Sequence, residues 1–316
     1  MLELMTINSS HFSNFILAAY FDSGLLKYLF FLIVMSLYVL MLMSNVFLIK
    51  VICGNRSLHE PMYIFLCSLF VNELYGSTAV FPFLLVHILR DVHTVPTSLC
   101  FLQIFCGHSY ALMEVLTLTV MSYDRYLAIC HPLQYHTRMT RNRIATLIAV
   151  PWFYSFLICF VMISLSSSLH LCGNIIDKVL CDNYPIIKLA CSDTTVLNIY
   201  GLIITFTSVL LPVMLILYSY MRILKVCFSG SKQTRHKAVS TCTPHLASLL
   251  NFTLGASFEV IQSRFNMSRV PNMLRIFLSL YFLTCQPLFN PLMYGLNISK
   301  IRTLCKHTLH SNHPVL

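Results

Sequence analysis

Y-L-F-F-L-I-V-M-S-L-Y-V-L-M-L-M-S-N-V-F-L-I, residues 28–49, carries no charged side chain over a length that spans a lipid bilayer. A helix rises about 1.5 Å per residue and the hydrocarbon core is about 30 Å thick, so roughly 20 such residues suffice. Water-free surroundings demand that every backbone group be paired internally, and the run lacks the polar–apolar alternation of a barrel strand. Windows of the same kind follow at 62–89, 99–123, 144–166, 196–221, 238–262 and 273–296. The sixth is diluted by Thr241, Thr243, His245, Asn251 and Thr253. These windows predict an all-α membrane protein, a seven-transmembrane helix bundle.

Composition agrees. Of 316 residues, 57% are apolar and 10% charged, against roughly a quarter charged in soluble domains. Disorder, a soluble disulfide scaffold and a coiled coil are excluded by so much apolar surface. A net charge of +10 raises nucleic acid as a partner, but its placement argues otherwise. The segments before 28, 90–98, 167–195 and 263–275 hold 7 Lys and Arg, whereas 50–61, 124–143, 222–237 and 297–316 hold 14. Basic residues concentrate on the cytoplasmic side. The reading is therefore an extracellular N-terminal tail at 1–27, a seven-span domain at 28–296, and a cytoplasmic amphipathic helix and tail at 297–316, with no role for nucleic acid. Residues 1–26 lack a basic start and a small-residue cleavage site, so the first span is expected to act as its own insertion signal. Lys300, Arg302 and Lys306 suit contact with anionic membrane lipids. His307, His310 and His313 read as a solvated helix face rather than a metal site, and Cys305 is a candidate for lipidation.

Four of the 13 cysteines, Cys100, Cys172, Cys181 and Cys191, fall on the predicted outer side. There disulfides persist, and four cysteines admit three pairings. The spacing lacks the short C-x-x-C clip of zinc sites, so no metal centre is expected. Sequons occur at Asn8, Asn55, Asn251, Asn266 and Asn297. Topology leaves Asn8 as the glycosylation candidate, with Asn266 close to the bilayer.

Ionisable groups at bilayer depth cost about 3 kcal/mol each and are functional candidates by default. Glu73 and Glu114 are the clear cases. Facing each other, they would repel unless they shared a proton or held a cation such as sodium, with Asn45 and Asn290 as helping oxygens. The competing reading has each one protonated and bonded to a neighbouring helix. No other cofactor is implied. Asp124 and Arg125 are adjacent, which on a helix sets them about 100° apart rather than face to face.

The stretch M-S-Y-D-R-Y-L-A-I-C-H-P-L-Q-Y at 121–135 resembles the signature of rhodopsin-like G-protein-coupled receptors in its odorant-receptor form. P-M-Y-I-F-L at 61–66, S-Y-M-R-I-L at 219–224, K-A-V-S-T-C-T-P-H-L at 237–246 and P-L-F-N-P-L-M-Y at 287–294 are similar to that family's second, fifth, sixth and seventh helices, in order. The cysteine run at 172, 181 and 191 is similar to its long second outer loop. V-N-E-L-Y-G-S at 71–77 resembles a fish-type branch.

The resemblance implies disulfides Cys100–Cys181 and Cys172–Cys191. It assigns coupling and activation to Asp124, Arg125, Tyr126, Tyr220, Asn290, Pro291 and Tyr294. It places a ligand among Gly107, His108, Ala111 and Leu112, Thr205 and Ser208, Phe252, Ala256 and Glu259, and Leu280 and Thr284. Glu259 would reach water or pair with Arg264, and His108 would bond a backbone carbonyl if it played no ligand role. The implied partners are a small-molecule odorant and a heterotrimeric G protein of stimulatory type that raises cAMP, at the plasma membrane. Glu73 stands where the family usually has Asp. The sixth span, N-F-T-L-G-A-S at 251–257, lacks the Trp and Pro of most rhodopsin-like receptors. Gly107 occupies the position that holds amines by an acid in aminergic receptors, which weakens a biogenic-amine ligand. A non-olfactory receptor for a lipid or metabolite is the alternative within this class. An ion-conducting transporter or channel is disfavoured because no internal repeat or paired broken helices are visible. An enzyme is not expected, since H-E-x-x-H, G-x-S-x-G and phosphate-loop motifs are all missing from the sequence.

Overall fold

The computed structural model describes residues 12–20, 24–229, 232–264 and 272–311. Asn8 and Asn266 lie outside them. Seven long helices run Leu26–Gly54 (α1), Pro61–Leu89 (α2), Thr97–Cys130 (α3), Arg141–Ser167 (α4), Thr195–Ser229 (α5), Lys232–Arg264 (α6) and Asn272–Asn297 (α7), followed by Ser299–Ser311 (α8). Each apolar window sits inside one of the seven. The helices overrun the windows because backbone pairing continues into polar sequence after the apolar run ends. Local chemistry sets several boundaries. Pro61 and Pro132 open helices where a missing N–H costs nothing. The Thr140 hydroxyl caps α4 by accepting from the Arg143 amide at 3.4 Å.

Four apolar clusters fill the described bundle, one of them Met41, Val80 and Phe81 between α1 and α2. A second, around Leu66, Leu69, Phe70, Met121, Tyr220 and Tyr294, lies at the end that carries Arg125. Tyr110, Val115 and Phe252 form a central layer. Phe15, Leu17, Cys100, Ile104, Cys181 and Ile186 close the opposite end.

That opposite end is the part the sequence did not announce. Residues Asn14–Leu17 (β1) form the middle of a three-stranded sheet, antiparallel to Thr94–Pro96 (β2) and parallel to Ile175–Ile176 (β3). Ile16 N donates to Asn174 O at 2.8 Å, Leu17 N to His93 O at 2.9 Å, and Ala18 N to Ile176 O at 2.8 Å. Alternate residues Phe15 and Leu17 point into the cluster and are 0% and 2% exposed. Tyr20 stacks on His93 at 4.1 Å and donates to Val179 O at 3.0 Å. The tail thus straps the loop before α3 to the long loop before α5. Two disulfides finish this cover. Cys100–Cys181 ties α3 to the long loop, and Cys172–Cys191 closes that loop on itself, with Cα separations of 5.4 and 5.6 Å. Both pairings are those the family resemblance implied.

Replacing Phe15 by Ala should remove about 3 kcal/mol of packing from this cover. The expected outcome is faster amide hydrogen exchange at 94–96 and 175–176 with helix protection unchanged; unaltered exchange in both strands would refute the strap.

Candidate functional site

Midway through the bundle, polar side chains from four helices meet with no solvent access. Glu73, Glu114 and Asn290 are each 0% exposed. Asn290 Nδ2 donates to Glu73 Oε1 at 2.6 Å and to Glu114 Oε1 at 2.9 Å, so both of its amide hydrogens go to the two acids. Asn72 Nδ2 donates to Glu114 Oε2 at 3.2 Å, and the Tyr110 hydroxyl to Glu73 Oε2 at 3.0 Å. Tyr110 can lie so close to α2 because residue 76 is glycine. A Cβ there would fall 2.5 Å from the Tyr110 ring.

The network continues into α6. Ser248 Oγ donates to Asn290 Oδ1 at 2.7 Å, Gln286 Nε2 to Ser248 O at 3.2 Å, and Tyr281 OH to Asn251 Oδ1 at 2.6 Å. The polar residues that dilute the sixth window, His245 and Asn251, therefore share a face with Ser248 at intervals of three and turn toward α7. Asn72, Tyr110, Ser248, Gln286 and Tyr281 were missed from sequence. Their signal was the same as that of Glu73, a polar group at bilayer depth.

Asn45 does something other than expected. Its amide donates to Met41 O and to Pro287 O, both at 2.9 Å. Pro291 has no N–H to offer the carbonyl four residues back, and that carbonyl is Pro287 O. Asn45 fills the gap that proline leaves, tying α1 to α7, while its Oδ1 stays buried without a hydrogen-bond partner. Asn72 Oδ1 is in the same position. Of these oxygens, the one on Asn72 belongs to a side chain already bonded to Glu114, and with the two acids it is of the kind a hard cation takes. However, Asn290 presents N–H groups rather than oxygen to the carboxylates.

At the Arg125 end, Arg125 bonds Asp124 Oδ2 through Nε at 3.0 Å and through Nη2. The neighbours pair despite their helical offset, because the long guanidinium folds back over a carboxylate that is 0% exposed. The second oxygen of Asp124 accepts from Tyr135 OH at 2.7 Å. Burial, and then Asp124 itself, raise the Tyr135 pKa, which keeps the phenol a donor. Tyr126 OH meets His131 Nε2 at 3.0 Å. Tyr294 is fully buried, 3.2 Å from His245 Nδ1, and Tyr220 is buried with an unpartnered hydroxyl.

The expected ligand residues divide. A Cβ on Gly107 would meet nothing within 4 Å, so space lies beside α3 at that level. Below it Ala111, Ala256 and Leu283 pack on Tyr110 and Phe252. Leu112 is buried, and Leu280 and Thr284 are half-buried, the Thr284 hydroxyl bonding back to Leu280 O at 2.7 Å. Above it the long loop supplies Lys178, whose Nζ bonds Asp182 Oδ2 at 2.7 Å and Glu259 Oε1 on α6. Glu259 pairs with this loop lysine; the side chain of Arg264 lies outside the described residues. Burial disfavours the Lys178 ammonium, but Asp182 and Glu259 outweigh it and raise its pKa. His108 Nδ1 meets Ile104 O at 3.0 Å, the carbonyl contact expected of a histidine without a ligand.

Two residues of α5 depart from expectation. Ser208 is 0% exposed and its hydroxyl is held by Tyr154 of α4 at 2.8 Å, and Thr205 is exposed beside Leu202, Ile203 and Phe206. The cause is a π turn at Phe206–Leu210, just before Pro212. One extra residue in a turn rotates the chain ahead of it by about 100°, which no apolar window reveals.

This arrangement is that of the rhodopsin-like seven-helix receptors. The crystal structure of squid rhodopsin superposes with a TM-score of 0.73 at 18% identity, over 91% of this chain and 82% of that one. A family model described as olfactory receptor matches residues 34–312. Human olfactory receptor 11A1 is 33% identical over 312 residues, covering 98% of this chain and 97% of its own, and mouse olfactory receptor 8U3 is 31% identical with the same coverage. The chain belongs to the olfactory receptor family, a family of receptors and not of enzymes.

Asn290→Leu should leave the two carboxylates without their common donor, at a cost of about 3–5 kcal/mol. Thermal unfolding of the detergent-solubilised receptor is expected to show a large fall, partly restored by adding Glu114→Gln; no fall, or no restoration, would contradict the bridge.

Proposed function

We propose that this chain detects odorants at the plasma membrane, with its disulfide-bearing end outside and α8 in the cytoplasm, and activates a heterotrimeric G protein of the stimulatory type, raising cAMP. The observation that carries this reading is the position of the polar core. It lies between the space beside Gly107 and the Arg125–Asp124 pair, and Ser248–Asn290 joins α6 to it. The 14-to-7 division of basic residues supports the orientation.

The odorant sits among Gly107, His108, Ala111, Leu112, Phe252, Ala256, Glu259, Leu280 and Thr284, under the cover formed by the long loop. A ligand alters an equilibrium only by binding two arrangements unequally. Phe252 and Ser248 are four residues apart on α6, about one turn. Pressure on the Phe252 layer therefore reaches the Ser248–Asn290 bond directly. Releasing that bond frees α6 from α7, and the far end opens where Arg125, Tyr220 and Tyr294 lie. Arg125 then exchanges Asp124 for the G protein. Glu73 and Glu114 share one proton in the resting arrangement, the reading that the Asn290 N–H groups support, with sodium among the carboxylates as its rival.

An odorant panel on surface-expressed receptor with a cAMP reporter checks this. Ligand-evoked cAMP is expected, abolished by Arg125→Ala at unchanged surface staining. A response that survives Arg125→Ala, or ligand-gated current without cAMP, would refute the coupling. Glu114→Gln should alter the sodium or pH dependence of signalling, and identical behaviour in both would remove the shared site.

A further inference from the structure

The inner end of α5 carries positive charge that the chain itself does not answer. Arg222, Lys225, Val226 and Ser229 line an open cavity of about 370 Å³. Arg222, Lys225 and Ser229 recur at intervals of three and four, one helix face about 10 Å long. All four lining residues are exposed, while Ile216, Tyr220, Ile223 and Cys227 turn the other side of α5 into the bundle. The Ser229 hydroxyl bonds back to Lys225 O at 3.0 Å and brings no charge.

The acids that could neutralise this face are far away in sequence or already engaged. No Asp or Glu occurs between Asp193 and Glu259. The segments 50–61, 124–143, 222–237 and 297–316, which hold 14 bases, contain the acids Glu60 and Asp124 alone. Glu60 takes Lys300 at 2.8 Å, and Asp124 takes Arg125 and Tyr135. A single interfacial base needs only to snorkel toward water. Two bases in one cavity, with both acids of that side occupied, make a site for an anion.

The same face changes character one turn toward the middle of the bundle. Counting back from Arg222 by four, three and four gives Tyr218, Leu215 and Leu211, all exposed and uncharged. This stripe lies within the apolar window 196–221, and the bases begin where that window ends.

Resting on the proposed orientation, which puts this end at the inner leaflet, we infer that the face from Leu211 to Ser229 binds one membrane phospholipid whose headgroup carries more than one phosphate. An acyl chain lies along Leu211, Leu215 and Tyr218, and the headgroup enters the cavity. Arg222 offers a planar fork to one phosphate, and Lys225 a compact charge to the next. A serine headgroup, with one net charge, would neutralise one base and leave the other. A free phosphate would answer the bases and leave the apolar stripe unused.

The test measures lipid binding to the purified full-length receptor in detergent by native mass spectrometry. The probes are phosphatidylinositol bisphosphate, phosphatidylserine and soluble inositol trisphosphate. The bisphosphate lipid is expected to bind at least tenfold tighter than either of the others. Arg222→Gln combined with Lys225→Gln should weaken it tenfold or more. Arg141→Gln combined with Arg143→Gln removes as much charge from the same end and should change it less than twofold. Lys225→Arg keeps the charge and should hold the affinity within threefold, which a fault of folding at this position would not allow. Equal weakening by the two double variants would overturn the site in favour of diffuse attraction. Phosphatidylserine or the soluble trisphosphate binding as tightly as the bisphosphate lipid would overturn the ligand class. Detergent opens both ends of the receptor to lipid, so binding is read independently of orientation, which staining of a tag after Leu316 on unpermeabilised cells tests separately.

Discussion

Asn290 stands between two carboxylates that have no water to turn to. Each would be costly alone at this depth, and together they would repel. One amide with two hydrogens answers both, and its oxygen takes the Ser248 hydroxyl. Helices α2, α3, α6 and α7 are thereby held to a single side chain. Near it Tyr110 fits closely over Gly76 and Asn45 bonds the carbonyl that Pro291 leaves free, and farther along α7 Tyr281 bonds Asn251 of α6. In a bundle whose outside is as apolar as lipid, hydrogen bonds of this kind and close packing replace the hydrophobic drive of a soluble core.

The same economy explains why the core suits a switch. Apolar layers above and below it tolerate small sliding, whereas each polar bond is either made or broken. Ser248 connects α6 to Asn290 across one such bond. The disulfide-tied loop and the tail strand close the opposite end; on the proposed function, displacement at the ligand level would then be passed along α6 rather than lost in the cover.

What the sequence conveyed followed from physical periods that need no partner. Seven apolar windows located all seven helices, since hydrophobic length is fixed by the bilayer. Glu73 and Glu114 were conspicuous because charge is rare there. The pairing of Cys100 with Cys181 came from resemblance, since four cysteines alone leave three choices. The π turn at 206–210 was invisible, because an extra residue in a turn changes direction without changing hydropathy, and it carried Thr205 and Ser208 away from their expected places. The tail strand was equally hidden. Four residues that alternate burial only against two other loops have no local signature. Lys178 meeting Glu259 across 81 positions of sequence is a contact of the same long-range kind.

The central claim is that the two buried glutamates share a proton within the cage made by Asn290, Asn72 and Tyr110. Infrared spectroscopy of receptor carrying carbon-13 glutamate reads it directly. The account predicts a C=O stretch of a protonated carboxylic acid that shifts with the isotope, is independent of sodium, and disappears in the Glu73→Gln, Glu114→Gln double variant. Carboxylate bands alone, changing as sodium is added, would contradict it.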